Sequence, residues 1–309
     1  MILCVGSNPA LDHTLVVPNF SAGVVSRSRS SLFAAGGKGL NVARAVQILG
    51  EHAWSIGFLA GHTGRYIEEL ASAEGLEGTW TWVDGETRTC VIIADTEAGE
   101  ATVINENGPR VQESSWIKLN AAILQEAERV TDVCFSGSLP LGAPLELFVQ
   151  TIISVRDTGK RVWVDTSGAP LSAALSIPGI IIKINGDEAG AILNSTVNTA
   201  ESALDAALKF RQRGLAGVVI TLGKSGAVMS NDKGSWWSYP PTIKVLDAVG
   251  SGDSFLAGIV TACAAGYTMD IALRHAVAAG AANATTVGGG DFPKEVFEKI
   301  LLQTKIQAL

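Results

Sequence analysis

The sequence predicts an α/β protein in which helices cover both faces of a mostly parallel β-sheet. Short apolar runs rich in β-branched residues, typical of strands buried on both faces, alternate with longer segments of helical periodicity. The 309 residues are 47% hydrophobic and only 17% charged, a composition that can bury a large core and that excludes a disordered chain. Without a linker, an internal repeat or a low-complexity tract, residues 1–309 are expected to form a single domain.

The predicted elements alternate in the order expected of such a sheet. Strands are predicted at residues 2–6, 53–59, 132–136, 161–165, 180–184 and 218–222. Helices are predicted at residues 39–49, 64–73, 114–129, 145–158, 200–213, 251–265, 271–285 and 293–304. Because ligands of such sheets bind at the carboxyl ends of the strands, functional residues are expected in the strand-to-helix turns.

Three further segments alternate apolar and polar residues in the manner of strands with one exposed face. They lie at residues 11–18, 88–94 and 101–105, and a turn-like segment at 95–100 joins the last two. These segments suit a small antiparallel lid better than the main sheet. We therefore expect a β lid built from about residues 11–18 and 88–105.

Composition also excludes several function classes. The net charge of −7 is unsuited to a broad nucleic-acid surface, and no run of eighteen apolar residues predicts a membrane span. The N-terminus lacks the basic region of a secretory signal, so a cytoplasmic location is expected. The four cysteines and four histidines have no metal-binding spacing, so the thiols are expected to be buried and unpaired.

A glycine-rich turn, Asp247-Ala248-Val249-Gly250-Ser251-Gly252-Asp253, opens a long predicted helix. The backbone N–H groups of such a turn and the positive end of the helix dipole suit an anion. The carboxylate of Asp253 has two interpretations. It is either a helix cap, or a base that takes a proton from a hydroxyl group while the anion hole stabilises a transferring phosphoryl group.

Two other turns place polar side chains before helices. Gly36-Gly37-Lys38-Gly39-Leu40-Asn41-Val42-Ala43-Arg44 contains a Lys and an Asn, and Asn185-Gly186-Asp187-Glu188 follows a predicted strand.

The segment Gly223-Lys224-Ser225 lacks the opening glycine of a phosphate-binding P-loop. The first predicted strand is followed by Gly6-Ser7-Asn8-Pro9, which is not a dinucleotide fingerprint, so a nicotinamide dehydrogenase is not favoured.

Seven segments in order resemble the ribokinase/PfkB superfamily of sugar kinases from end to end. The resemblance is strongest to the branch of bacterial phosphosugar kinases that contains 1-phosphofructokinase and tagatose-6-phosphate kinase. The segments are Asn8-Pro9-Ala10-Leu11-Asp12, residues 36–44, Gly85-Glu86-Thr87-Arg88, Ser136-Gly137-Ser138-Leu139-Pro140, residues 185–188, Thr221-Leu222-Gly223 and residues 247–253. The family more often has Ala at the position of Ser251 and Pro at the position of Ile184. Ser251 keeps the backbone donors of the glycine turn, and Ile184 is expected to affect backbone stiffness more than chemistry.

The resemblance implies a ribokinase-like fold and an ATP-dependent kinase that uses Mg²⁺. It implies that Asp253 is the catalytic base and that Gly250, Ser251 and Gly252 form the anion hole. A monovalent cation near the carbonyl groups of Asp247 and Val249 is also consistent with the resemblance. The β lid would close over the sugar and exclude water, and in related kinases such lids pair between subunits, which implies a homodimer.

The resemblance also assigns the binding residues. The substrate-binding set is Asp12, Gly37, Lys38, Asn41, Arg88 and Ser138. The nucleotide-binding set is Lys183, Asn185, Thr221, Gly223, Gly226 and Asn283, the last on the adenine side. Asn185 and Glu188 would organise Mg²⁺ near the ATP phosphates.

Four residues keep a structural alternative. Asp12 is otherwise a turn residue, and Ser138, with Ser136, otherwise caps the next helix. Asp165 ends a predicted strand and either orients a loop or faces the nucleotide.

The identity of the acceptor follows from cations near the predicted sugar site. Lys38 and Arg88, with Arg27 as a third candidate, predict an acceptor that already carries a phosphate, although exposed cations can also simply solubilise a loop. We expect a reaction like that of 1-phosphofructokinase, giving fructose 1,6-bisphosphate and ADP. The alternatives are a tagatose-6-phosphate kinase and a non-catalytic phosphosugar sensor on the same fold.

Overall fold

The computed structural model describes residues 1–95, 97–98 and 100–309. The predicted turn at 95–100 contains Thr96 and Gly99, which lie outside the described residues.

Strands and helices alternate along most of the chain. The strands are β1 (Ile2–Val5), β2 (Ala10–Val16), β3 (Ser30–Gly36), β4 (Ala53–Ala60), β5 (Glu77–Val83), β6 (Thr89–Asp95), β7 (Glu100–Asn105), β8 (Asp132–Ser136), β9 (Arg161–Asp165), β10 (Ile181–Asn185), β11 (Gly217–Thr221), β12 (Ala227–Asn231), β13 (Gly234–Tyr239) and β14 (Lys305–Ala308). The helices are α1 (Lys38–Ile48), α2 (Gly61–Ala73), α3 (Glu113–Ala127), α4 (Leu145–Asp157), α5 (Gly168–Ala174), α6 (Gly186–Leu193), α7 (Ala200–Arg211), α8 (Ser251–Ala264), α9 (Met269–Asn283) and α10 (Lys294–Gln303).

The main sheet has the strand order β14-β13-β12-β11-β10-β9-β8-β1-β4-β5. The strands from β11 to β5 in this order are parallel, and β12, β13 and β14 extend the sheet in antiparallel fashion. The α/β fold class predicted from the alternation of buried strands and helices is therefore confirmed.

Helices cover both faces of the main sheet and bury two separate apolar cores. In β1, Ile2 and Cys4 point into the core shared with α1, α2, α8, α9 and α10, whereas Leu3 and Val5 point into the core shared with α3 to α7. This alternation is the period of two that a strand imposes on its side chains. The four cysteines are buried and unpaired, as predicted.

A second, smaller sheet has the order β3-β2-β6-β7 and contains the three predicted lid strands. The pairs β2–β3 and β6–β7 are antiparallel, while β2 and β6 are parallel. The parallel pair arises because residues 37–88 pass through the main sheet and its helices between β3 and β6. In the described part of the chain, no helix is both long enough and apolar enough to cross a membrane.

The predicted elements of the main sheet agree with the observed ones to within three residues, but several short or edge elements were not predicted. They are β3, β5, β12, β13, β14 and α5. The strand β12 shows the reason: its polar residues Ser230 and Asn231, typical of turns, are buried, and Ser230 accepts a hydrogen bond from Ser235 across the sheet at 2.9 Å. Pairing with neighbours, which a single segment does not reveal, overrides the local pattern.

The loop before β6 caps the second helix. The Glu86 carboxylate accepts hydrogen bonds from the backbone N–H groups of Thr63 at 3.0 Å and His62 at 3.2 Å, in the first turn of α2. These backbone bonds, with one to the His62 ring, lower the pKa of Glu86 from its usual 4.5 to about 2. The Glu86 side chain therefore holds the loop against α2.

We expect Glu86→Gln to lower the free energy of unfolding at pH 7, because the neutral amide binds the helix N-terminus more weakly than the carboxylate. The folded pKa lies below the unfolded one, so the carboxylate stabilises fully above about 4.5 and the benefit is lost as pH falls toward 2. Urea unfolding at several pH values should show the difference between variant and parent shrinking over that interval. Glu69→Gln, on the exposed face of α2, is the control; an equal loss in both variants would contradict the capping role.

Candidate active site

The polar residues singled out in the sequence meet at the carboxyl edge of the parallel strands. Asp165 is the last residue of β9 and Lys183 lies near the end of β10. The first turns of α1 and α8 reach the same place, where Lys38 contacts Asp165 and Asn41 contacts Asp253. The strand ends therefore form one polar site, as expected for a parallel sheet.

The glycine turn before α8 leaves two backbone N–H groups available to an anion. Gly250, with φ 76°, is the N-cap residue, and a Cβ atom there would lie 2.4 Å from the Cα atom of Gly289. The Ser251 N–H group donates to the carbonyl of Ala248 at 3.2 Å, whereas those of Gly250 and Gly252 have no partner within the described residues. The two glycines thus offer donors at the positive end of the α8 dipole.

Asp253 is a buried carboxylate held by one side chain. It lies in the first turn of α8, and its Oδ2 atom accepts a hydrogen bond of 2.9 Å from the Nδ2 atom of Asn41. It is not the N-cap residue, so the capping interpretation does not hold. Burial raises the pKa of Asp253, and the Asp165 charge adds to this effect, while Lys38 and the Asn41 hydrogen bond oppose it. A base in this setting binds a proton more readily than an exposed Asp does.

Asp165 is held between two lysine ammonium groups. Its Oδ1 atom lies 3.1 Å from Lys38 Nζ and its Oδ2 atom 2.9 Å from Lys183 Nζ. Burial disfavours the charge of Asp165, yet the two lysines outweigh burial and lower its pKa. Asp165 in turn raises the pKa of Lys38. Asp165 therefore orients two cations, and a Cβ atom on Gly252 would lie 3.3 Å from Lys183 Nζ, which places that ammonium beside the glycine turn.

Asp12 and Arg88 occupy the side of the site next to the small sheet. Asp12 lies within β2, not in a turn, and burial raises its pKa to about 6 although the charges of Arg88 and Arg44 lower it. The negative charge of Asp253 raises it further, so the two carboxyl groups face the same space. The Nε and Nη2 atoms of Arg88 donate to the carbonyl of Asn8 at 3.2 and 3.0 Å. Arg88 thereby holds the loop after β1 with part of its guanidinium group.

Gly37 and Ser138 flank the same loop. Gly37 is the N-cap residue of α1 and packs against Pro9, and the Ser138 hydroxyl accepts a hydrogen bond of 3.2 Å from the Nδ2 atom of Asn8. The next helix, α4, begins at Leu145 after Pro144, so Ser138 does not cap it.

A cleft of about 470 Å³ adjoins the glycine turn on the side away from the small sheet. It contains three of the predicted nucleotide-binding residues, Thr221, Gly223 and Gly226, together with Ser251 and Gly252 of the turn. Its other walls are mostly apolar, as in sites that hold a flat aromatic ring.

Asn283 does not line this cleft. Its side chain is fully buried, its Nδ2 atom donates to the carbonyl of Val249 at 2.7 Å, and its Oδ1 atom accepts from Ser254 at 2.9 Å and from the Gly290 N–H at 2.8 Å. These bonds join α9 to the glycine turn. The geometry therefore gives Asn283 a positioning role and does not support the predicted contact with adenine.

Asn185 and Glu188 form a reciprocal cap at the start of α6. The Glu188 N–H donates to Asn185 Oδ1 at 2.8 Å, and the Asn185 N–H donates to Glu188 Oε2 at 3.1 Å. The charge of Glu188 also acts on Lys38, so this carboxylate faces the same site. Within the described residues, no hydrogen bond engages Glu188 Oε1, and this oxygen fits a hydrated divalent cation.

Two features of the site were not predicted. Arg44, the last residue of the first glycine segment, has no predicted role. It is a buried cation that donates hydrogen bonds to Asn41 and to the carbonyl of Gly289. In the glycine run 288–290, Gly289 and Gly290 pack against Gly250 and Asn41. Three consecutive glycines after a helix were the sequence signal for this contact, because only a residue without a Cβ atom permits such close backbone approach.

Comparisons with known proteins agree with this geometry. The family described as pfkB family carbohydrate kinase matches residues 1–295. The chain is 30% identical to tagatose-6-phosphate kinase of Staphylococcus epidermidis, over 99% of both chains, and 27% identical to 1-phosphofructokinase of Bacillus subtilis, over 100% of both. The structure of phosphofructokinase-2 from Escherichia coli in complex with substrates and products superposes with a TM-score of 0.90 at 28% identity and covers 98% of each chain.

Proposed function

The chain belongs to the pfkB family of carbohydrate kinases, and from this membership we propose that it transfers the γ-phosphoryl group of ATP to a hydroxyl group of a hexose phosphate. The products are a sugar bisphosphate and ADP. The main support for the proposal is the buried carboxylate of Asp253, which Asn41 orients. It lies beside a glycine turn in which the N–H groups of Gly250 and Gly252 have no partner within the described residues. This arrangement combines a proton acceptor with an anion site, the two requirements of phosphoryl transfer to an alcohol.

Each charged residue then has a role in the reaction. Asp253 accepts the proton of the acceptor hydroxyl as its oxygen bonds to the γ-phosphorus and the bond from that phosphorus to ADP breaks. The N–H groups of Gly250 and Gly252 donate to the transferring phosphoryl oxygens, with Ser251 between them shaping the turn. Lys183 offsets the negative charge there, and its position against Gly252 supports this role.

ATP is proposed to occupy the cleft lined by Thr221, Gly223 and Gly226, with its phosphates at the glycine turn. Asn185 and Glu188 would hold Mg²⁺, chiefly through water, and the free Glu188 Oε1 atom supports this. When bound, Mg²⁺ would neutralise charge on the phosphate oxygens. A monovalent cation near the carbonyl groups of Asp247 and Val249 stays a prediction. The Val249 carbonyl accepts one hydrogen bond, from the Asn283 side chain, and keeps its second lone pair.

The acceptor is proposed to bind between Asp12, Gly37, Asn41 and Ser138, with its own phosphate near Arg88. The influence of Arg88 on the pKa of Asp12 supports this placement. The guanidinium group retains donors beyond those used on the carbonyl groups of Asn8 and Glu106. Lys38 lies farther from this end, against Asp165 and close to Asp253. Its geometry favours contact with the transferred phosphoryl group over contact with the phosphate of the acceptor.

Fructose 1-phosphate is the acceptor we favour, with fructose 1,6-bisphosphate as product; tagatose 6-phosphate is the alternative. A phosphosugar sensor without catalysis is disfavoured because such a protein has no need of the oriented Asp253. ATP and sugar phosphates are charged metabolites that do not cross membranes unaided, which supports the expected cytoplasmic location.

We further propose that the small sheet is the lid of a single kinase domain and that a second copy of the chain covers its outer surface. The edge strand β7 leaves Val103 and Ile104 41% and 56% exposed, although neighbouring residues of a strand point to opposite faces. Leu32 of β3 is 57% exposed. Apolar residues on both faces of an edge strand support a covering partner.

Asp253→Asn should lower kcat by about 10²- to 10⁴-fold, because the amide keeps the shape of the side chain but cannot accept the proton. ATP affinity, measured by calorimetry, should remain close to that of the parent. Asp205→Asn, an exposed change on α7, is the control for the measurement. A variant that turns over fructose 1-phosphate and tagatose 6-phosphate at the rate of the parent would rule out Asp253 as the base.

Arg88→Ala should reduce kcat/KM for the hexose phosphate by about ten- to a hundredfold, the worth of one charge-assisted hydrogen bond. The KM for ATP should not change. The discriminating quantity is the ratio of kcat/KM for the phosphosugar to that for free fructose, which should fall in this variant and stay constant in the surface control Arg65→Ala. If kcat/KM for both sugars falls equally, Arg88 only holds the loop at Asn8.

Ile104→Lys should weaken the proposed dimer, since it places a charge on the exposed edge strand. Light scattering of the parent should give twice the 32.1 kDa mass of the chain, and the variant should shift toward that mass. Leu302→Lys, at an 84% exposed position of α10, should leave the mass unchanged. A parent that is monomeric at all concentrations would contradict the dimer.

A further inference from the structure

Arg44 is a buried cation that contacts four different parts of the site. It lies on α1, and its Nε and Nη2 atoms pair with the carboxylate of Glu74, just after α2, at 2.5 and 3.2 Å. Nη2 also donates to the carbonyl of Ala35 in β3 at 2.6 Å. Nη1 donates to the carbonyl of Gly289 at 2.8 Å and to the Oδ1 atom of Asn41 at 3.2 Å. The proposed reaction gives this residue no role.

The contact with Asn41 determines which way its amide faces. A guanidinium group only donates hydrogen bonds, so the atom of Asn41 that faces Arg44 must be the carbonyl oxygen. The NH₂ group is then directed at Asp253, whose Oδ2 atom accepts from it at 2.9 Å. Rotating the amide by 180° would set NH₂ against the guanidinium group and the carbonyl oxygen against the carboxylate. Both contacts of the rotated form are repulsive.

We propose that Arg44 is a positioning residue that fixes the orientation of the Asn41 amide and thereby keeps Asp253 a proton acceptor. The proposal rests on the proposed role of Asp253 as the base. A donated hydrogen bond favours the ionised carboxylate, whereas a carbonyl oxygen at the same place would favour the protonated acid, which can donate to it. Arg44 thus acts on the reaction through Asn41 without touching substrate.

The backbone around the amide reinforces the arrangement. A Cβ atom on Gly289 would lie 2.5 Å from Asn41 Nδ2, so the glycine lets the loop press directly on the amide. Arg44 holds this loop through the Gly289 carbonyl, and the Glu74 carboxylate keeps the guanidinium group in place. The same cation therefore fixes both the amide and the backbone that packs against it.

Other charged groups also face Asp253 and act on its pKa. Lys38 of α1 and Lys183 of β10 favour its ionised form, and Asp165 of β9 disfavours it. Asp12 of β2 also interacts unfavourably with Asp253. The Arg44 charge also lowers the pKa of Asp12, so loss of that charge acts on Asp253 through Asp12 as well. Arg44→Lys keeps the charge, and removing the Asn41 amide separates this effect from that of the amide.

The test is the acid limb of the pH profile of kcat, which reports the protonation of the base in the substrate complex. In Arg44→Met the limb should move upward by about one pH unit, because the amide is free to present its oxygen to Asp253. Arg44→Lys can still donate to Asn41 and should move it less. Arg65→Met, an exposed change on α2, should leave it in place. Glu74 is one-third exposed and can be hydrated when its partner is lost, which favours folding of these variants.

A second pair of variants separates positioning from packing. In an Asn41→Ala background no amide remains, so adding Arg44→Lys should cause no further shift of the acid limb. If Arg44→Met and Arg44→Lys lower kcat and thermal stability but leave the acid limb unmoved, Arg44 only packs the site and the proposal is overturned. It is also overturned if the shift persists without the amide.

Failure of the proposed reaction would look different. The parent would then turn over neither fructose 1-phosphate nor tagatose 6-phosphate, and the titration of Asp253 can still be followed by ¹³C NMR of its carboxyl carbon, assigned with Asp253→Asn. An upward shift of that titration in Arg44→Met that is larger with Asn41 present than in an Asn41→Ala background supports the positioning role without any turnover. An equal shift in both backgrounds, or an unchanged titration, overturns it.

Discussion

The arrangement of the site depends on one buried carboxylate. Asp165 holds Lys38 and Lys183, which come from a helix and a strand on either side of it, with both ammonium groups about 3 Å from its oxygens. The cluster carries two positive charges and one negative charge, so a single net positive charge remains beside the glycine turn. Removing the carboxylate would leave a buried lysine uncompensated, which is far more costly than losing a surface ion pair. The positive charge at the strand ends therefore exists because the sheet can bury an acid where two cations converge.

The strand period explains why these charges reach the site without disturbing the core. In β10, Ile182 and Ile184 point into the core shared with α3 to α7, so Lys183 between them points to the opposite face, where α8 begins. Its ammonium lies against Gly252 because that residue has no side chain. A one-residue change in register would bury the lysine among aliphatic side chains.

The sequence was sufficient to predict the fold class, the buried strands and the strand-to-helix turns at which Asp253, Asn41 and Lys38 meet, since these depend on local periodicity and on glycine chemistry. It was not sufficient for contacts made across the chain. Arg44 bonds Gly289, which lies 245 positions away, and nothing in its helix indicates that bond. The family resemblance predicts that Asn283 contacts the nucleotide. Its side chain is instead completely buried, where it bonds Ser254 and Gly290. Edge strands such as β14 were missed because three of its four residues are exposed and carry no apolar pattern.

The two cores divide the molecule unequally. Helices α1 and α8, which carry Asn41 and Asp253, share one core with α2, α9 and α10, whereas α3 to α7 pack on the other face of the sheet. Among the latter, α6 begins at the site, with Asn185 and Glu188. Substitutions under α3, α4, α5 and α7 reach Asn41 and Asp253 through the sheet, which is stiffened by its ladders of backbone hydrogen bonds. Helix α6 is the exception, because Glu188 in its first turn faces the site. Apart from α6, substitutions on that face are therefore expected to affect chiefly stability, whereas the first core has to preserve both its packing and the positions of Asn41 and Asp253. Selection on this chain is therefore expected to tolerate more substitutions in one core than in the other.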